Sequence, residues 1–183
     1  IDCGIHSLMS LEQASRLSSD VNVRWASLLH DLGKGLTHKN LLPSHHGHEQ
    51  FGEKPVKDLN TRLKTPNEFK DLSRLVCLYH THVHRVLELK PKTLLKFFSA
   101  IDLWRKPERL AQILIACKAD SRGRTGFEEV EYKQAEYVSQ LAKACLAITA
   151  RQFVEKGIQG KAIGEAIALE RLNVIKRLSR DKF

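Results

Sequence analysis

The stretch WASLLHDLGKG, residues 25–35, decides the reading of the chain. An apolar helical run, with Val23, Ala26, Leu28 and Leu29 near helical spacing, leads into the adjacent pair His30 and Asp31 and then meets Gly33, Lys34 and Gly35. Asp20 or Asn22 is positioned to cap the helix start, and Gly33 or Gly35 to end it. The pair therefore sits in the last turn of a buried helix. Neighbours on a helix point about 100° apart, so His30 and Asp31 serve one site only if the helix end turns both side chains into a cleft.

Upstream, residues 5–18 place Ile5, Leu8, Met9, Ala14 and Leu17 near helical spacing, which predicts a first helix with His6 in its opening turn. Downstream, residues 36–45 show no period and read as a loop, followed by the histidine cluster His45, His46 and His48 at the start of a helix interrupted by glycine. Thr65-Pro66 signals another helix start, carrying Phe69, Leu72, Val76 and Tyr79 inward. His80, His82 and His84 alternate at its end, and only His80 continues the apolar stripe. Further helices open at Lys90-Pro91 and at Pro107. The second runs through Leu110, Ile113, Leu114 and Cys117 to Asp120, and the glycine-containing stretch 121–126 stops it. A carboxylate at the end of so apolar a helix is costly unless it is paired or bound to a cation, which makes Asp120 a candidate ligand and gives Asp102 a similar claim. Residues 131–150 and the segment from Lys161 onward predict two more amphipathic helices. Between them Gly157 to Lys161 forms a tight corner suited to a phosphate. No run alternates with period two, so the expected class is all-α.

The 183 residues suit one domain of ordinary size, or one with a small appendage, and a 42% hydrophobic content argues against a disordered chain. No apolar run is long enough to span a membrane and no signal-peptide pattern opens the chain. Four cysteines far apart in sequence, with no CxxC, read as buried thiols in a reducing cytoplasm and argue against structural zinc. The formal net charge of +9 favours a polyanionic partner: RNA, DNA or a phosphorylated small molecule. The chain opens at Ile1 without an initiator methionine, as a piece of a longer protein or a trimmed chain would.

Imidazoles and carboxylates that hold a divalent ion with open positions suit chemistry on phosphate esters. With His6, then adjacent His30 and Asp31, then a distant Asp120, the sequence resembles the HD superfamily of metal-dependent phosphohydrolases over about two thirds of its length. That resemblance implies a helical bundle and a metal set of His6, His30, Asp31 and Asp120, tolerant of magnesium, nickel, cobalt or manganese. His46 and His80 become candidates for further ligands, phosphate contacts or the acid that protonates the leaving oxygen, and Lys34 and Arg124 for phosphate binding. Because Thr81, not a carboxylate, follows His80, a second metal on that helix is not expected.

The segments GIHSLMSLEQASRLS, LLHDLGKGLT, HHGHE, DLWRKPERL and ADSRGRTGFE narrow the likeness to the C-terminal half of bacterial CCA-adding tRNA nucleotidyltransferases of the multifunctional type. What this implies is an HD part at 1–126 with phosphatase, 2′-nucleotidase and 2′,3′-cyclic phosphodiesterase activities. Residues 127–183 are then a helical body, its basic stretch Arg171 to Lys182 available to tRNA. The implied partners are tRNA or nucleotide phosphate esters and an N-terminal nucleotidyltransferase head, in the cytoplasm. Two alternatives remain open: a catalytically silent RNA-binding body that positions tRNA for the head, and a signalling-nucleotide phosphohydrolase.

Overall fold

In the computed structural model, which describes residues 2–179, nine α-helices and three short 3-10 turns follow one another, with no strand among the described residues. Helix α1 (Cys3–Leu17) starts where the Asp2 carboxylate accepts hydrogen bonds from the Gly4 and Ile5 amides, and α2 (Val21–Leu29) is capped the same way by Asp20. A 3-10 turn, Leu32–Leu36, and a second, Lys39–Leu41, lead to α3 (His48–Arg62) and α4 (Asn67–His84). A third 3-10 turn, Val86–Glu88, precedes α5 (Pro91–Ala100) and α6 (Glu108–Arg122). Helices α7 (Lys133–Leu146), α8 (Arg151–Val154) and α9 (Lys161–Leu178) complete the described chain. The architecture is the expected all-α bundle with additional C-terminal helices.

Helix α1 lies along α6 and α2, while α4 packs against α2, α3 and α6, so four of these helices wrap the end at which α2 stops. Burying a large apolar side chain contributes roughly 1.5–3 kcal/mol, and Phe98, Leu94, Ile101, Ile113 and Leu141 are all fully enclosed. A buried polar hub ties α2, α3 and α4 together. The Asn60 carbonyl oxygen accepts from the Trp25 indole at 2.9 Å and from the Thr65 hydroxyl at 2.7 Å, while its amide donates to the Val56 carbonyl and the Ser73 hydroxyl. Trp25, from the deciding stretch, thus fixes where α2 ends relative to α3.

Two sequence expectations change in detail. The face of α1 predicted inward is partly outward: Ile5 and Leu8 are exposed, and the buried face carries His6, Ser10, Gln13 and Ala14. Packing of α1 on α6 decides this, because Gly123 lies so close to Ser10 that a Cβ on it would stand 2.5 Å from the Ser10 hydroxyl oxygen. Asp102 is not at a site; it turns the chain after α5 with a φ of 59° and pairs with Arg105 at 2.8 Å. Residues on both sides of position 126 build the main core, since Tyr132, Tyr137, Val138, Leu141 and Cys145 of the α7 region and Ile175 of α9 join it. A smaller cluster of Ile148, Phe153 and Val174 holds α8 against α9. The segment Arg171 to Lys182 lies in α9 only as far as Leu178, and its last three residues are outside the described part.

Candidate metal centre

Helix α2 ends at His30, and Asp31 adopts φ −103° and ψ 10°, leaving the α-helical path for the 3-10 turn. The break in helical twist lets two adjacent side chains face one cluster, which an uninterrupted helix would not allow. Gly33 makes that turn feasible against α3: a Cβ there would lie 1.8 Å from the His48 carbonyl oxygen and 2.6 Å from the Gly52 nitrogen.

Around this corner gather His6 from α1, His30 and Asp31, His48 from the first turn of α3, His80 from α4 and Asp120 from α6. The ligand atoms form three sets, each within 4.8 Å: His6, His30 and Asp31; His30, His80 and Asp120; and Asp31, His48 and His80. His6, His30, Asp31, His80 and Asp120 are all at most 5% exposed.

Four of the imidazoles share one construction. Nδ1 of His6 donates to the Gly123 carbonyl at 2.9 Å, that of His30 to Ser27 at 2.7 Å, that of His48 to His45 at 2.8 Å and that of His80 to Val76 at 3.0 Å. A carbonyl only accepts, so each Nδ1 carries a proton and each ring turns its Nε2 toward the cluster. His6 Nε2 lies 2.9 Å from Asp120 Oδ1, and His30 Nε2 lies 3.3 Å from Asp31 Oδ2 and 3.4 Å from Asp120 Oδ1. The other Asp31 oxygen, Oδ1, faces His48 Nε2 at 3.3 Å and His80 Nε2 at 3.5 Å.

His30 Nε2 and Asp31 Oδ1 are buried without a hydrogen-bond partner, although they stand in the middle of the cluster. Orphaned buried polar atoms are costly, and imidazole Nε2 atoms that converge with carboxylates are, once deprotonated, the donor set of a divalent cation. The residues therefore fit a divalent metal, and Asp31 Oδ1 adds a further group of potential ligands with His48 and His80. Asp31 thereby supplies a carboxylate beside His80 that lies far from Thr81 in sequence.

Charge balance follows from the same contacts. Burial alone would lower the His30 imidazole, but the Asp120 and Asp31 carboxylates outweigh it and raise the group to about 10. Burial would raise both carboxyls. The surrounding imidazoles overturn that and hold Asp31 and Asp120 well below the usual carboxylate range. Lys34 adds its ammonium to Asp31 Oδ2 from the rim, where its side chain is partly exposed.

Of the residues singled out in the sequence, His6, His30, Asp31, His80 and Asp120 are brought together, with Lys34 at the edge. Arg124 stands exposed in the loop after α6 and lines a cleft beside the cluster. His46 is exposed and belongs to none of the ligand sets. Gly47, at φ 77°, turns the chain after it, so His48, the first residue of α3, enters the cluster instead. His48 and His84 were the residues missed. His84 is one helical turn beyond His80, a spacing that places both on one face of α4. Its Nε2 donates to Asp120 Oδ2 at 2.6 Å and its Nδ1 accepts from the Tyr132 hydroxyl at 2.7 Å, so it orients Asp120 with the opposite tautomer from the other four rings.

Comparison with known proteins finds relatives over nearly the whole chain. The chain is 49% identical over 181 residues to the multifunctional CCA protein of Thioalkalivibrio sulfidiphilus, covering 99% of this chain and 44% of the relative. It is 51% identical over 178 residues to that of Teredinibacter turnerae, covering 97% and 43%, and 46% identical over 180 residues to that of Actinobacillus pleuropneumoniae, covering 96% and 44%. It thus spans less than half the length of these curated relatives. No solved structure matches the chain. The family model described as "HD domain" matches residues 4–122, a span that begins just before His6 and ends just after Asp120, and by that match the chain belongs to the HD domain family.

Proposed function

We propose that this chain is the metal-dependent phosphohydrolase part of a CCA-adding protein, acting on nucleotide phosphate esters such as 2′,3′-cyclic and 2′-phosphates. The observation that carries the reading is the pair of orphaned ligand atoms, His30 Nε2 and Asp31 Oδ1, inside a shell of imidazole Nε2 atoms. His6, His30, Asp31 and Asp120 would hold one divalent cation, and Asp31, His48 and His80 a second. Magnesium, manganese, cobalt and nickel all suit such mixed nitrogen and oxygen donors. Cations bound there supply Lewis acidity toward a phosphoryl oxygen and a nucleophile from water at neutral pH.

The chain's own residues do the rest. The backbone carbonyls of Gly123, Ser27, His45 and Val76 fix four ring orientations, and His84 with Tyr132 fixes Asp120. Lys34 and Arg124 place positive charge at the rim, where a phosphate dianion is held while the ester oxygen departs. The long apolar enclosure beneath the cluster keeps bulk water from its inner side.

The names of the relatives, together with the share of their length that this chain spans, support a nucleotidyltransferase head elsewhere in the parent protein. They also support tRNA as a partner and the cytoplasm as location. The HD part would then be residues 1–126, and 127–183 a body that contacts tRNA. None of the described helices is long and apolar enough to cross a membrane. A silent RNA-binding body would have no need of buried, unpartnered ligand atoms, so the complete cluster favours the hydrolase. Purified chain incubated with a 2′,3′-cyclic nucleotide, with and without EDTA, tests the reading. Turnover should require the metal and be lost in His30→Ala and Asp31→Ala. Background unchanged by EDTA and by both variants would contradict it.

A further inference from the structure

The cleft beside the metal centre has a volume of about 320 Å³ and is walled by the connection between α6 and α7. Its inner wall is His84, whose Nε2 donates to Asp120 Oδ2, and Tyr132, whose hydroxyl donates to His84 Nδ1, so a group against His84 lies one side chain from the ligand cluster. Its outer wall is Phe127 and Val130, which are 50% and 40% exposed. Beside them stands Arg124, exposed and without an ion pair among the described residues, whereas nearby Arg122 is tied to the Val130 carbonyl at 3.0 Å and to Glu129. Glu131, the one acid on this lining, faces Lys133 at 3.8 Å.

The loop is built to hold this arrangement. Gly126 takes φ 85°, the Phe127 amide donates to the Arg124 carbonyl at 2.9 Å and the Val130 amide to the Phe127 carbonyl at 3.1 Å. These turns place Phe127 and Arg124 on the lining of one cleft. An uncovered aromatic ring gains nothing from a bare phosphate or a sugar phosphate, but it stacks on any nucleobase, and the adjoining guanidinium attracts the phosphate that base carries. A volume near the lower end for small-molecule sites matches the size of one nucleotide.

Building on the phosphohydrolase reading, we propose that this cleft is the binding site for a single unpaired nucleotide, with its base on Phe127, Arg124 drawing its phosphate, and the ester directed past His84 toward Asp120.

Calorimetric titration of the full chain with adenosine 2′-monophosphate and with inorganic phosphate, manganese present, tests this. The wild type should bind the nucleotide about tenfold or more tighter than phosphate, and Phe127→Ala should erase most of that preference while Phe127→Trp keeps it. Equal affinity for the two probes in the wild type, or a preference unaltered in Phe127→Ala, would overturn the assignment. Hydrolysis followed in the same samples separates the two readings. Nucleotide bound through Phe127 but never hydrolysed would remove the phosphohydrolase function and leave the cleft, whereas hydrolysis indifferent to Phe127 would do the reverse.

Discussion

The Nε2 atoms of His48 and His80 stand 3.1 Å apart, and each ring has its Nδ1 proton committed to a backbone carbonyl. In the neutral rings two lone pairs therefore face each other, with Asp31 Oδ1 beside them at 3.3 and 3.5 Å. On the proposed reading, a shared cation would resolve that contact. His48→Gln and His80→Gln should each lower the divalent metal retained after dialysis from two ions per chain to one, measured by elemental analysis. An unchanged count of two in both variants would remove His48 and His80 from the centre.

The pH dependence follows from His30. Its imidazole ordinarily titrates near 6.5 and is raised to about 10 in the folded chain by Asp120 and Asp31. Because the folded protein holds this proton more tightly than the unfolded chain, the stabilisation from His30 in the metal-free protein is complete below 6.5 and is lost as pH rises toward 10. Asp31 and Asp120, both lowered, contribute stability above the ordinary carboxylate value that disappears only in stronger acid. A cation must displace the His30 proton, so apparent metal affinity should climb between about pH 7 and 10 and proton release should accompany binding. Calorimetry in buffers of different ionisation enthalpy measures that release, and metal binding without it across this range would refute the assignment.

Gly33 links the fold to the site. Gly33→Ala would drive a methyl group into the His48 carbonyl and the Gly52 backbone, at a cost of roughly 1–3 kcal/mol, and would shift the ring of His48 away from Asp31. Gly35→Ala, where nothing lies within 4 Å, should change stability by no more than about 0.5 kcal/mol. Thermal denaturation and metal content of the two variants should diverge; equal behaviour would show that the 3-10 turn yields freely.

Much of this was readable from the chain itself because it rests on local pattern. The period of residues 21–29 marks α2, Asp20 marks its start, and the sequence places His6, His30, Asp31 and Asp120 at helix ends. What escaped the sequence depends on how elements meet. The inward face of α1 is set by the Gly123 contact with Ser10, so apolar spacing pointed Ile5 and Leu8 the wrong way. His48 displaces His46 because Gly47 takes a left-handed turn, which no periodicity records. The second ligand set escaped notice because its carboxylate, Asp31, is 49 positions from His80, and local sequence offered only Thr81.

The central claim is that Asp31 bridges two cations, one on each carboxylate oxygen. Anomalous diffraction from crystals grown with manganese tests it most directly. The account predicts two peaks, each about 2–2.5 Å from a different Asp31 oxygen, one shared with His6, His30 and Asp120 and the other with His48 and His80. A cluster without any peak, or a single ion that leaves His48 and His80 unligated, would contradict it.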